Sequence, residues 1–346
     1  MIQMFDQQQP YAIYMEDSLN GDFGKMGFGI MRYSPHPITC VIDSVHAGKS
    51  VRDACGEPFD IPVVRDVETA LNMGAEIFVL GTAPSGGRLP DEWIAVIEKA
   101  LSNGMSLING LHDRMEDRFK QLLTQKNQKI WDVRVPGPSV PIARARANKL
   151  KNKRVLMVGT DMAIGKMTAG LELYKWLLAK DVNAGFIATG QIGITITGKG
   201  IPLDAIKVDQ AAGAVEAAVL EQKDKDVIIV EGQGSLLHPG STATLPLMRG
   251  TCPTHLLLCH KSGRTHLRNP SHIVIPPLKD FIQLNEAVAN VSGSLCHTKT
   301  IGIAVNTFGL DESVAQKEVE RIQKETGIPT TDVIRYGVEV IGKQLV

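Results

Sequence analysis

Between an apolar run and a leucine-rich helical pattern, the chain carries Gly159-Thr160-Asp161-Met162-Ala163-Ile164-Gly165-Lys166-Met167-Thr168. Glycines at both ends of such a loop let the backbone turn tightly, so that successive N–H groups and a helix N-terminus point at phosphate oxygens. Lys166 adds a point charge for the same anion. The residues expected to hold it are Gly159, Thr160, Asp161, Ala163, Ile164, Gly165, Lys166, Met167 and Thr168. Five residues separate the glycines where four are usual. Met167 stands where nucleoside triphosphatases place the hydroxyl that ligates magnesium, and Thr168 is displaced by about 100° around the helix axis. Magnesium takes oxygen ligands rather than a thioether. The loop therefore reads as a diphosphate cradle that transfers no phosphoryl group and requires no metal. Coenzyme A is one ligand that fits this description.

Two other segments carry reactive groups at the ends of apolar runs. In Glu231-Gly232-Gln233-Gly234-Ser235-Leu236-Leu237-His238-Pro239-Gly240, a carboxylate, an amide, a hydroxyl and an imidazole share one glycine-rich loop. Either Glu231 or His238 is placed to act as a general base, with Gln233 and Ser235 on the substrate. Upstream, Thr189-Gly190-Gln191 closes another strand pattern and offers Gln191 as a substrate contact. Asp209 is either the N-cap of a helix beginning near Gln210 or a third catalytic candidate. The run Cys259-His260-Lys261-Ser262-Gly263-Arg264-Thr265-His266-Leu267-Arg268 places His260, Arg264 and Arg268 where guanidinium forks would pair with substrate carboxylates. Neighbouring strand residues point to opposite faces, which argues against a Cys259–His260 nucleophilic pair.

These loops need rigid supports, and the surrounding pattern supplies them. The first half alternates strand runs at 38–43, 61–64, 76–81, 106–109 and 130–135 with helical patterns at 67–73, 91–103 and 115–125. This is the signature of βαβ units in an open parallel sheet of Rossmann-like type. Strand ends there carry Asp43, His46, Lys49 and His112, whose role the sequence leaves open. The second half repeats the alternation, with strands at 154–158, 185–189, 227–230, 256–259 and 301–306 and a helix at 312–326. Between the halves, three prolines precede six basic residues, Arg144, Arg146, Lys149, Lys151, Lys153 and Arg154. That run reads as a solvated face or a contact with ligand phosphates. The expected division is 1–140, a Rossmann-like α/β domain, and 141–346, an α/β domain built on the phosphate loop.

The 346 residues are 43% hydrophobic, which is enough for two cores. Basic and acidic residues balance at 37 each, so no global field attracts nucleic acid or an anionic membrane. No run reaches the length of a membrane span and no secretory pattern opens the chain, so a cytoplasmic protein is expected. Five widely spaced cysteines without a CxxC pair argue against a disulfide framework or a zinc site.

The two-domain order, GTDMAIGKMT, VEGQGSLLHPG and LCHKSGRTHLRNP together resemble the D-glutamate N-acetyltransferase family, long catalogued as domains of unknown function with a C-terminal P-loop domain. The resemblance covers most of the chain and is strongest over 155–277. It implies acetyl transfer from acetyl-CoA to the amino group of D-glutamate, by direct attack with a general base and no acetyl-enzyme. A homo-oligomer acting on small molecules is expected. The loop also resembles that of dethiobiotin synthetase, so an ATP- and magnesium-dependent ligase or carboxylase is the alternative, with a nucleotide-binding sensor third.

Overall fold

In a computed structural model, the chain is described over residues 4–21, 23–137, 140–293 and 296–346. Asp22 of the glycine-rich opening and Pro138 and Ser139 of the linker lie outside the described residues.

Six strands form the first sheet: β1 (Tyr11–Tyr14), β2 (Ile38–Ile42), β3 (Val63–Val64), β4 (Ile77–Leu80), β5 (Ser106–Asn109) and β6 (Ile130–Asp132). All pair in parallel, in the order β3-β2-β1-β4-β5-β6, as expected for a Rossmann-like sheet. Helices cover both faces of such a sheet, which is why β1, β4 and β5 are buried along their whole length. Tyr14, Phe78, Trp93, Leu107 and Phe119 share one core, with the Tyr14 and Trp93 rings meeting edge-on at 5.2 Å. The central strand, β1, was not expected from the sequence. Its four residues follow Pro10 in a polar N-terminal stretch, too short for a periodicity to show.

The second sheet contains β7 (Lys153–Gly159), β8 (Ala184–Ile187), β9 (Val227–Val230), β10 (His255–Lys261), β11 (Lys299–Asn306) and β12 (Thr330–Thr331). It too is parallel, in the order β12-β11-β10-β7-β9-β8. Its helices include Lys166–Ala179, Val208–Glu221, Thr244–Thr251 and Glu312–Thr326. The last has the bounds expected from its charge-rich 3.6-residue period.

Two compact units result, and they differ from a simple cut at residue 140. One comprises 1–135 together with 191–202, the other 136–190 together with 203–346. The chain thus returns to the first unit for one short excursion, the helix Gln191–Thr197, which packs on helix Lys25–Tyr33. A Cβ at Gly110 would meet Gln191 Cγ at 3.4 Å and Met26 Sδ at 2.6 Å, so glycine there permits the close approach.

The basic run is exposed at Arg144, Arg146, Lys149 and Lys151, as expected for a solvated face, while its last member is buried. Arg154 is 1% exposed, and its guanidinium donates to the carbonyls of Thr251, Cys252, Leu150 and Asn152. Glu216, fully buried in helix Val208–Glu221, accepts from the backbone N–H groups of Arg144 and Arg146 and from Arg146 Nε. Arg154, Arg146 and the Arg144 backbone thus anchor the start of the second unit to its interior. No helix among the described residues is long and apolar enough to cross a membrane.

Candidate active site

In a parallel sheet the carboxyl ends of adjacent strands bring their loops together. β10, β7 and β9 are neighbours, with Cys259 paired to Gly159 and Leu156 to Val230. Three motifs remote in sequence therefore stand side by side: the phosphate loop after β7, the Glu231 loop after β9 and the His260–Arg268 loop after β10.

The phosphate loop is built around a buried lysine. Lys166 opens helix Lys166–Ala179, and its Nζ donates to the Asp161 carbonyl at 2.7 Å. Its arm passes through a slot that only glycines leave open. A Cβ at Gly159 would lie 3.0 Å from Nζ, and one at Gly232 would strike the Met157 carbonyl at 1.7 Å and Lys166 Cδ at 3.2 Å. Ala163 and Gly165 adopt positive φ of 52° and 111°, turning the loop into the helix. No side chain caps that helix, so its first N–H groups are available to an anion. Burial lowers the lysine pKa to about 8.

Glu231 is buried beside it. One carboxylate oxygen, Oε2, accepts from Thr189 N at 2.8 Å and Gly190 N at 3.1 Å, which fixes the side chain. The other, Oε1, faces Gly190, where a Cβ would come within 3.2 Å. Burial pushes the carboxyl up to about 7, against the pull of the two N–H donors and of Lys166. A carboxyl poised near neutrality suits proton transfer at physiological pH.

Other expected site residues are engaged differently. His238 was one of two candidate bases, yet both ring nitrogens are used within the protein. Nε2 is 2.6 Å from the Asn269 carbonyl and Nδ1 accepts from Gly240 N at 3.1 Å, so the ring pins its loop in place. Arg264, expected on substrate carboxylates, pairs with Asp161 Oδ2 at 2.9 Å. The same oxygen accepts from Arg268 N at 2.8 Å, while Oδ1 takes Met162 N. The Asp161 carboxylate thus ties the phosphate loop to the loop after β10 instead of facing an anion, which it would repel. His260 is buried against the Thr160 hydroxyl at 3.0 Å, and burial lowers its pKa to about 4, leaving a neutral ring. Gln233 donates through Nε2 to the Thr189 carbonyl, and Ser235 Oγ accepts from Leu237 N. Met167 and Thr168 follow Lys166 on the helix, half-buried.

Asp209 is not an N-cap. Its helix begins at Val208, after Lys207, and no side chain caps it. Asp209 lies exposed in the first turn and lines a pocket with Ser235. Gln191, by contrast, opens helix Gln191–Thr197 and is grouped with the first unit, whereas the strand it follows, β8, belongs to the second. In that unit Asp43 holds His46 Nδ1 at 2.6 Å, and His46 Nε2 meets Asn20 Nδ2 at 3.0 Å, so the pair is internally satisfied. Sequence reasoning missed the Asp161–Arg264 tie and the two N–H donors on Glu231. Only the strand order brings these partners together.

Burial pushes the Cys259 thiol up to about 12, which removes the thiolate a nucleophile needs. Cys259→Ala is expected to keep turnover within about threefold of the parent, since a buried thiol at this pKa acts as a small apolar group. Trapping an acetylated Cys259 by mass spectrometry during turnover would overturn that reading.

Two family models match the chain. Residues 44–136 match a domain of unknown function described as the Rossmann-like DUF1611_N, and 141–342 match the P-loop domain DUF1611_C. A D-glutamate N-acetyltransferase from Tritonibacter scottomollicae is 33% identical over 334 residues, 95% of this chain and 96% of that protein. Another from a Pseudoalteromonas species is 37% identical over 275 residues, 79% of this chain and 82% of that protein. The chain belongs to the D-glutamate N-acetyltransferase family. A crystal structure of a DUF1611 protein from Anabaena variabilis, 44% identical, superposes with a TM-score of 0.93 over 98% of this chain and 99% of that one. Both units of the fold are therefore family architecture, and the three clustered loops lie within the matched P-loop domain.

Proposed function

We propose that the protein transfers the acetyl group of acetyl-CoA to the amino group of D-glutamate, in the cytoplasm and without a metal. Family membership makes it an amino-acid N-acetyltransferase; the donor, the acceptor and the roles of residues are our reading. The observation that carries it is the pairing of an uncapped, lysine-bearing phosphate loop with Glu231, a fixed carboxyl poised near neutrality.

Coenzyme A presents a diphosphate, and Lys166 with the N–H groups following Gly165 would hold it. The acceptor arrives as an ammonium and must lose a proton before its nitrogen attacks. Glu231 Oε1 takes that proton. The nitrogen adds to the thioester carbon, and backbone N–H groups of the glycine-rich loop after β9 stabilise the oxyanion. Collapse breaks the carbon–sulfur bond, and the nitrogen releases its extra proton to solvent as the amide forms. Glu231 returns the proton to the departing thiolate, so the carboxyl ends each cycle as it began. Met167 in place of a hydroxyl matches a diphosphate held without phosphoryl transfer.

The test is thiol release from acetyl-CoA across D- and L-amino acids, with and without EDTA. Free coenzyme A forming with D-glutamate, unaffected by EDTA, supports the proposal. Lys166→Ala is expected to raise KM for acetyl-CoA about 10- to 100-fold, the worth of a charge-assisted phosphate contact. Magnesium-dependent ADP formation without thiol release would replace the acetyltransferase by an ATP-using ligase.

A further inference from the structure

The mechanism above leaves the acceptor amino acid without a binding site, because Arg264 is tied to Asp161. A separate pocket of about 480 Å³ opens in the second unit, between the start of helix Val208–Glu221, the length of helix Thr244–Thr251 and the loop after β9. This volume lies in the range of small-molecule sites.

Its walls have a specific chemistry. Asp209 stands on one helix and Arg249 on the other, both lining the pocket. Neither side chain forms a hydrogen bond or ion pair among the described residues. The helices press together just below them: a Cβ at Gly250 would meet the Ala212 carbonyl at 2.4 Å and Val215 Cβ at 2.5 Å. The backbones bearing the two charges are therefore fixed. Ser235, 1% exposed, and Thr244, 5% exposed, form the inner wall. Thr244 Oγ1 donates to the Gln233 carbonyl at 3.1 Å, and Ser235 N to Ser241 Oγ at 3.3 Å, which binds this wall to the Glu231 loop. Leu245 and Pro246 add an apolar strip.

We infer that this pocket receives the acceptor amino acid, Arg249 taking its α-carboxylate and Asp209 its α-ammonium. One cation and one anion on facing helices complement the one anion and one cation of an α-amino acid head group, and the apolar strip suits side-chain methylenes. A guanidinium fork matches a carboxylate bidentately, and with the ammonium on Asp209 and the side chain on the Leu245–Pro246 strip, three substituents of the α carbon are held, as discrimination between enantiomers requires. Asp209 then acts in binding and Glu231 in proton transfer. The assignment rests on the acetyltransferase reading and extends it to residues outside the phosphate loop.

Steady-state kinetics test it, with D-glutamate and 4-aminobutyrate, which lacks the α-carboxylate, as rival acceptors. Arg249→Ala is expected to raise KM for D-glutamate at least about tenfold while KM for acetyl-CoA stays fixed, and to erase the preference for D-glutamate over 4-aminobutyrate. Arg249→Lys should recover part of the loss, and Asp209→Asn should weaken both acceptors. Both residues are exposed, so the variants are expected to fold. An unchanged KM for D-glutamate in Arg249→Ala, or equal losses for both acceptors, overturns the assignment. Calorimetric titration of D-glutamate into the protein alone separates the pocket from the chemistry. Binding that Arg249→Ala abolishes keeps the pocket even if no acetyl transfer is found, and absence of binding in parent and variant alike removes it.

Discussion

Glu231→Gln is expected to lower kcat about 10²- to 10⁴-fold, the usual contribution of a positioned general base. Glutamine keeps the shape and an acceptor oxygen for Thr189 N and Gly190 N, but it takes no proton from the substrate ammonium. In the parent, turnover should rise with pH as the carboxyl ionises near 7, and this acid limb should vanish from the residual activity of the variant. Stability gives an independent signal. The folded pKa, about 7, lies above the ordinary 4.5, so the folded state holds this proton more tightly than the unfolded chain. Stability from this group is complete below about 4.5 and is lost as pH rises through about 7. The melting temperature of Glu231→Gln relative to the parent should therefore be more favourable at pH 8 than at pH 5. A variant that keeps kcat within threefold, or retains the acid limb, would move the base elsewhere.

Glu216→Ala should be the most damaging single change outside the site. The carboxylate is fully buried and accepts from Arg144 N, Arg146 N and Arg146 Nε, with an ion pair to Arg146 Nη2 at 2.8 Å. Its removal strands two backbone donors at about 1–3 kcal/mol each and opens a void, for a loss on the order of 4 kcal/mol. Arg146 is half exposed and returns to water, so the penalty of an orphaned buried cation is small. Urea unfolding followed through Trp176, in the second unit, would report the shift. Glu216→Gln should recover part of it, since an amide oxygen still accepts. A midpoint unmoved by Glu216→Ala would mean that the linker holds without this carboxylate.

Local signals carried much of the architecture. Both parallel sheets and helix Glu312–Thr326 were readable because apolar runs and charged helical periods recur over enough residues to stand out. β1 was not, since four residues behind a proline carry almost no period. For the site, the phosphate loop and Glu231 were legible as motifs. The occupations of His238, Arg264 and Asp161 were not, because each is decided by a partner on another loop. Asp161 and Arg264 are 103 positions apart, and only the adjacency of β7 and β10 makes them a pair. Nor does the sequence show that Arg249, a lone arginine inside TLPLMRGT, shares a pocket with Asp209 of the facing helix.

The excursion of 191–202 into the first unit also bears on how the protein is made. Domains of a nascent chain ordinarily close in order as they leave the ribosome. Here the first unit lacks a helix until residue 202 has emerged, by which time β7, the phosphate loop and β8 are already outside the tunnel. The sites packed by that helix, around Gly110 and Met26, stay uncovered through this interval. Synthesis of the two halves is therefore interlocked, and a nascent chain with residue 140 just clear of the tunnel should display a first unit more open to proteolysis than one with residue 202 clear of it.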